Sequence, residues 1–155
     1  MKIILIFTGK SEKGFITDGI MRYHTRLHHY IPLEIKIINV AGKFGNQEIQ
    51  KIREGEAIMA QIPADSQVIL LDEKGKDFTS RQFAEMINTA IHQNIRRLVY
   101  VFGGPYGVSG EIRAKADKII RLSAMTFSHQ VVRILFMEQL YRAFTIIRGE
   151  PYHHE

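Results

Sequence analysis

Three groups of residues in this chain have the types and spacing to do chemistry. The first is Gly103, Gly104 and Gly107, set around Pro105 in the run VFGGPYG, directly after the apolar residues Leu98 to Phe102. Glycine has no Cβ to hold a ligand off the backbone, so glycines that end a buried strand suit either ligand contact or a tight turn. The second group is Arg133, Arg142 and Arg148, the only lysine or arginine residues after Arg121. An arginine fork within a largely apolar helix pairs with a carboxylate such as Glu138 or grips a planar anion. Structural pairing is the expectation for Arg133. For Arg142 and Arg148, which lead toward Tyr152 and His153, phosphate or base contact competes with it. The third group is histidine. His24, His28 and His29 have helical spacing for a metal, yet no glutamate follows His24 and no acid ligand stands nearby, so a solvated basic helix end is expected and no metal site. His129 opens the last helix, where its ring can meet ligand or backbone, His153 lies in the tail, and His92 reads as surface.

Spacing excludes two phosphate motifs. Thr8, Gly9, Lys10 and Ser11 resemble the end of a P-loop, but the glycine required five residues before Gly9 is Ile4. The GGPYG loop follows the fourth strand, and no acidic residue ends a strand about 20 residues later, so it is no dinucleotide fingerprint.

The elements that must position these residues alternate five times between strand and helix. Apolar runs predict strands at Lys2–Phe7, Leu33–Val40, Gln67–Leu71, Leu98–Phe102 and Lys118–Leu122. Helical spacing joins Phe15, Ile16, Ile20, Tyr23 and Leu27. A second helix runs from about Asn46 to Gln61 with Ile49, Ile52, Ile58 and Met59 on its apolar face. A third, through Phe83, Ile87 and Ile91, is capped near Thr79 or Ser80; a short one covers Ser109–Ala116 and a long one Ser128–Ile147. Such alternation predicts an α/β fold with a parallel sheet and helices on both faces. In the last helix 12 of 20 residues are apolar and leave no clean polar face. It should be buried nearly all round, partly by a second copy of the chain.

At 155 residues, 45% hydrophobic and with no linker or repeat, residues 1–155 form a single expected domain. Without cysteine there are no disulfides or thiolate metal sites, and the run Ile3–Phe7 is too short for a leader or membrane span; a cytoplasmic protein is expected. The net charge of +5 is uneven, with +1 over residues 1–95 and +4 over residues 96–155. An anionic partner such as RNA would be drawn to the second half, although surface charge for solubility explains the same balance.

LVYVFGGPYGVS, LSAMTFSHQVVRILFMEQLYRAF and RGEPYHH, with the opening MKIILIFTGK, resemble the SPOUT-class methyltransferases of bacterial large-subunit ribosomal RNA, in the family designated H. The similarity spans the chain, with its most specific motifs in the last 55 or so residues; Ser128 stands where relatives often have proline, and either starts a helix. The resemblance implies an α/β SPOUT-type fold with a C-terminal trefoil knot, an exception to unknotted topology. It further implies a homodimer that moves a methyl from S-adenosylmethionine to N3 of a pseudouridine in a 23S rRNA stem-loop on the assembled ribosome. By the same carry-over, Leu71, Gly103, Leu122, Ser123, Ala124, Met125, Thr126 and Phe127 enclose the cofactor. His153 or a water it holds is the candidate base, Tyr152 stacks on the extruded base, and Arg142 holds a phosphate or base carbonyl. Other readings are a SPOUT enzyme for tRNA or another rRNA nucleotide, a noncatalytic ribosome-binding module and a flavodoxin-like small-ligand domain. Binding of S-adenosylmethionine separates the module from the enzymes.

Overall fold

The structure, a computed structural model, describes residues 1–42 and 45–154. Its elements run β1 (Lys2–Thr8), α1 (Phe15–Leu27), β2 (Leu33–Ile38), α2 (Gln47–Met59), β3 (Ser66–Asp77), α3 (Ser80–His92), β4 (Arg97–Phe102), α4 (Gly110–Lys115), β5 (Lys118–Arg121) and α5 (Val131–Arg148). The strands make one sheet in the order β2-β1-β4-β3-β5, and every pairing is parallel.

Both faces of the sheet are buried, which explains the unbroken apolar runs. On β1 and β4 the larger residues Leu5, Phe7, Tyr100 and Phe102 point to the layer holding α1, α3 and α5, while Ile4, Ile6, Val99 and Val101 point to α2 and α4. Phe136 of α5 packs on Tyr100 and Phe102 with ring centroids 4.7 and 5.1 Å away. Connections that step toward β2 carry their helices, α1 and α3, on one face; those that step toward β5 carry α2 and α4 on the other. One crossover hand satisfies all four. The chain reverses direction at β4, stepping toward β1 as it enters and back past β3 as it leaves, so a crevice opens at the carboxyl ends there.

Local sequence sets the ends. Thr79 accepts a hydrogen bond from the Gln82 N–H and the Gln82 side chain accepts one from the Thr79 N–H, a complete capping box. Helix α5 starts three residues later than expected, with Gln130 at its N-cap; the Ser128 hydroxyl still accepts from the Val131 N–H.

Three expectations need correction. Ile49 and Ile52 do not form the apolar face of α2; they are 43% and 52% exposed. The helix enters the core at Gly55, where an added Cβ would stand 2.4 Å from Ser109 Oγ, and at Ile58, with the expected Met59 and the neighbouring Ala57 packed beside it. Strand β3 does not stop at Leu71: Leu71 and Lys76 both oppose Ile120, with Asp72–Gly75 bulged out between them. Gly75 makes this possible, since a Cβ there would lie 2.4 Å from the carbonyl carbon of Ile120. Finally, α5 has seven fully buried residues and only Arg148 exposed, yet Val131, Val132, Ile134, Leu135, Ile146 and Ile147 remain half-buried within one chain.

Candidate functional site

The bulge in β3 and the loops after β4 and β5 meet in a cleft of about 820 Å³. Its floor is the end of β4 beside β3, where Leu71 and Phe102 are register partners. Thr8 Oγ1 donates to the Phe102 carbonyl at 2.9 Å and ties β1 to that edge. The glycine loop then turns sharply: the Gly107 N–H donates to the Gly104 carbonyl at 3.0 Å, and Gly107 has φ of 83°. Space is tight at Gly103. A Cβ on it would meet Val108 Cγ1 at 3.0 Å and the Gly107 backbone at 3.2 Å. The opposite wall is the segment after β5, where the Met125 N–H donates to Ser123 Oγ at 3.0 Å and Met125 is 74% exposed.

Of the residues expected around a cofactor, Leu71, Gly103, Leu122, Ser123, Met125, Thr126 and Phe127 line this cleft, and Ala124 does not. The sequence reading missed Asp72, Arg113 and Lys51, which also line it. Asp72 sits in the β3 bulge, where Oδ1 accepts from the Lys74 N–H and Oδ2 from Arg113 Nη2 at 2.6 Å. These residues lie 41 apart in the chain, beyond any local pattern. Arg121 is similarly held by both carboxylate oxygens of Asp77 at 2.6 and 2.7 Å, which keeps that carboxyl below its usual range. Two of the cleft's arginines are thus already engaged, and no phosphate cradle is assembled. His129 lines the cleft too, and burial, helped by the Arg133 charge, lowers its pKa and keeps it neutral at pH 7.

Arg142, Tyr152 and His153 come together, but elsewhere. Arg142 Nε and Nη2 donate to Glu138 Oε1 at 3.1 and 2.6 Å, and the Tyr152 hydroxyl donates to the same oxygen at 3.1 Å. The Arg142 guanidinium lies 4.8 Å from the Tyr152 ring centroid, and burial is the main cause that pushes the Tyr152 phenol up to about 12. Arg142 Nη1 is 3.3 Å from His153 Nδ1. Because arginine only donates, Nδ1 is the accepting atom of this contact. Arg142 is ten positions beyond Val132, which lines the cleft, so the trio stands about 15 Å further along α5.

Glu138 therefore serves Arg142 and not Arg133, as the sequence reading had it. Fully buried Arg133 instead donates to the Thr8 carbonyl at 2.7 Å and Ser11 Oγ at 2.9 Å, with its guanidinium 4.8 Å from the Phe7 ring. The i, i+4 spacing of Glu138 and Arg142 was the available signal. Among the described residues no group of three His, Cys, Asp or Glu is placed to hold a metal, and no helix is long and apolar enough to cross a membrane.

Residues 1–153 match a family model described as "Predicted SPOUT methyltransferase". The chain is 46% identical over 157 residues to the Ribosomal RNA large subunit methyltransferase H of Parabacteroides distasonis, covering all of both chains. It is 47% identical over 156 residues to the protein of the same name from Christiangramia forsetii, covering 99% of each. Among solved structures, a probable methylase family protein from Haemophilus influenzae shares the fold at a TM-score of 0.51 and 15% identity, over 95% of this chain and 66% of that one.

Proposed function

We propose that this chain, which belongs to the SPOUT methyltransferase family, methylates N3 of a pseudouridine in a 23S rRNA stem-loop on the assembled ribosome, using S-adenosylmethionine, in the cytoplasm. The observation that carries this reading is the cleft at the chain reversal, lined by seven of the eight residues expected around the cofactor. Its chemistry suits that molecule: Leu71, Phe102, Val108 and Leu122 offer an apolar wall to adenine, while close backbone at Gly103 and along residues 122–127 offers polar edges. When bound, the cofactor supplies an electrophilic methyl on a sulfonium sulfur. The protein's main task is then alignment, which positioning alone supplies at high effective molarity.

N3 of the base must lose a proton to attack. His153 takes that proton at Nδ1, directly or through a water, once Arg142 turns from the ring toward a phosphate or carbonyl of the RNA. Tyr152, held by Glu138, presents its ring to the extruded base. The 15 Å between trio and cleft along α5 supports a homodimer in which a second chain's tail completes each site. Exposed Met125, Phe127 and Tyr106 at the cleft, with the half-buried side of α5, support the same view. Family membership further leads us to propose that the C-terminal part of the chain is threaded as a trefoil knot.

Single-turnover transfer to ribosomes from labelled S-adenosylmethionine tests these roles. His153→Ala and Arg142→Ala should each slow transfer by about 10²-fold or more while calorimetric cofactor binding is retained. Wild-type rates in both variants would remove the proposed roles.

A further inference from the structure

The ends of α1 and α5 and the C-terminal tail share a corner that holds Tyr23, Tyr30, Tyr141 and Tyr152, four of the chain's six tyrosines. Arginines lie on these rings. The Arg26 guanidinium is 5.4 Å from the Tyr141 centroid and 5.7 Å from that of Tyr23, and Arg148 is 4.4 Å from that of Tyr30. A guanidinium stacked on a ring has its plane set in advance while its N–H edge remains available. Arg22, exposed and four residues before Arg26, extends the same helix face.

Unlike Arg53, Arg96, Arg113, Arg121 and Arg142, none of these three arginines has a carboxylate partner among the described residues. The nearby carboxylates are taken: Glu150 accepts from the Tyr30 hydroxyl, and Glu138 from Arg142 and Tyr152. Asp18 is the only acid in α1. A face charged merely for solubility would intersperse acids and leave its arginines unstacked.

We propose that Arg22, Arg26 and Arg148 form a docking surface for the RNA backbone that flanks the methylated nucleotide. The proposal rests on the rRNA-methyltransferase reading above and extends it to residues outside the reacting trio. Tyr141 links the two regions, with its ring 4.8 Å from Tyr152 and under Arg26. Stacked guanidinium planes present an edge to phosphates and a face to bases, a combination that single-stranded RNA uses more fully than an acidic polypeptide.

The test measures binding of the full-length protein to the 23S stem-loop RNA between 50 and 200 mM salt, for Arg26→Gln/Arg148→Gln, Arg22→Gln and, as a control on the far helix layer, Arg53→Gln. Each lost single-strand phosphate contact lowers the slope of log affinity against log salt by roughly 0.7, so the double variant should lose about 1.4 and Arg22→Gln about 0.7. Arg53→Gln should keep the full slope, and all variants should bind S-adenosylmethionine as the wild type does. Arg22 is exposed, so it reads the surface even if the double variant is unstable. Full slopes in the corner variants would overturn the proposal, as would displacement of the RNA by polyglutamate at equal charge. A wild-type protein that does not methylate 23S rRNA would instead refute the enzymatic reading, whereas normal methylation with unchanged slopes refutes the docking surface alone.

Discussion

At the scale of single residues, the arginines divide by what surrounds them. Arg133 is fully buried, and its positive charge is balanced by a carbonyl, a hydroxyl and a ring, so desolvation lowers its pKa to about 10. Arg133→Met should leave the Thr8 carbonyl without that donor and cost about 1–3 kcal/mol, measured by urea unfolding. Arg121 and Asp77 form an exposed pair with a different signature. The carboxyl pKa is lowered on folding, so the pair contributes fully above the unfolded aspartate value of about 3.9 and is lost as pH falls through the lowered folded value. Urea titrations from pH 3 to 6 should therefore show wild type and Asp77→Asn converging at the acid end. Little of this was legible in the chain. The glycine run and the tail stood out by composition, but Arg133 reaches across to β1 and Asp72 to α4, and contacts at separations of 125 and 41 residues leave no periodic trace.

Elements were more legible than their details, because alternating apolar periods of two kinds specify strands and helices directly. Where the sequence misled, a glycine had altered the local geometry. Ile49 and Ile52 share the helical period of a core face, yet Gly55 is the residue that brings α2 against α4. The charged run DEKGK reads as loop, but Gly75 lets the chain rejoin β5 after a bulge that carries cleft residues. Gly75→Ala should therefore break the second β3–β5 pairing and cost about 1–3 kcal/mol or more. Thr79→Ala, which removes one half of the capping box on α3, should cost about 1 kcal/mol in the same unfolding assay. In the glycine loop, Gly103→Ala should push Val108 and the Gly107 backbone aside and weaken S-adenosylmethionine binding roughly tenfold by calorimetry, equivalent to about 1.4 kcal/mol of strain.

At the scale of the whole molecule, the proposed function requires that the cleft and the trio, separated along α5, be united between two chains. With S-adenosylmethionine held well below its wild-type Kd, Gly103→Ala protein should be nearly inactive. Mixing it there with His153→Ala protein and allowing subunits to exchange should restore activity to about a quarter of wild type, since half of a random population carries one intact site. Activity no higher than the sum of the separate variants would refute a shared site. Neither the proposed knot nor the proposed division between chains has a trace in local patterns, because both depend on how distant segments pass one another. The central claim concerns the product, and mass mapping of 23S rRNA addresses it directly. In cells lacking this protein the stem-loop pseudouridine should be present without its N3 methyl, and the methyl should return when the gene is restored. A methyl that persists on that nucleotide in the deletion strain would contradict the proposed function.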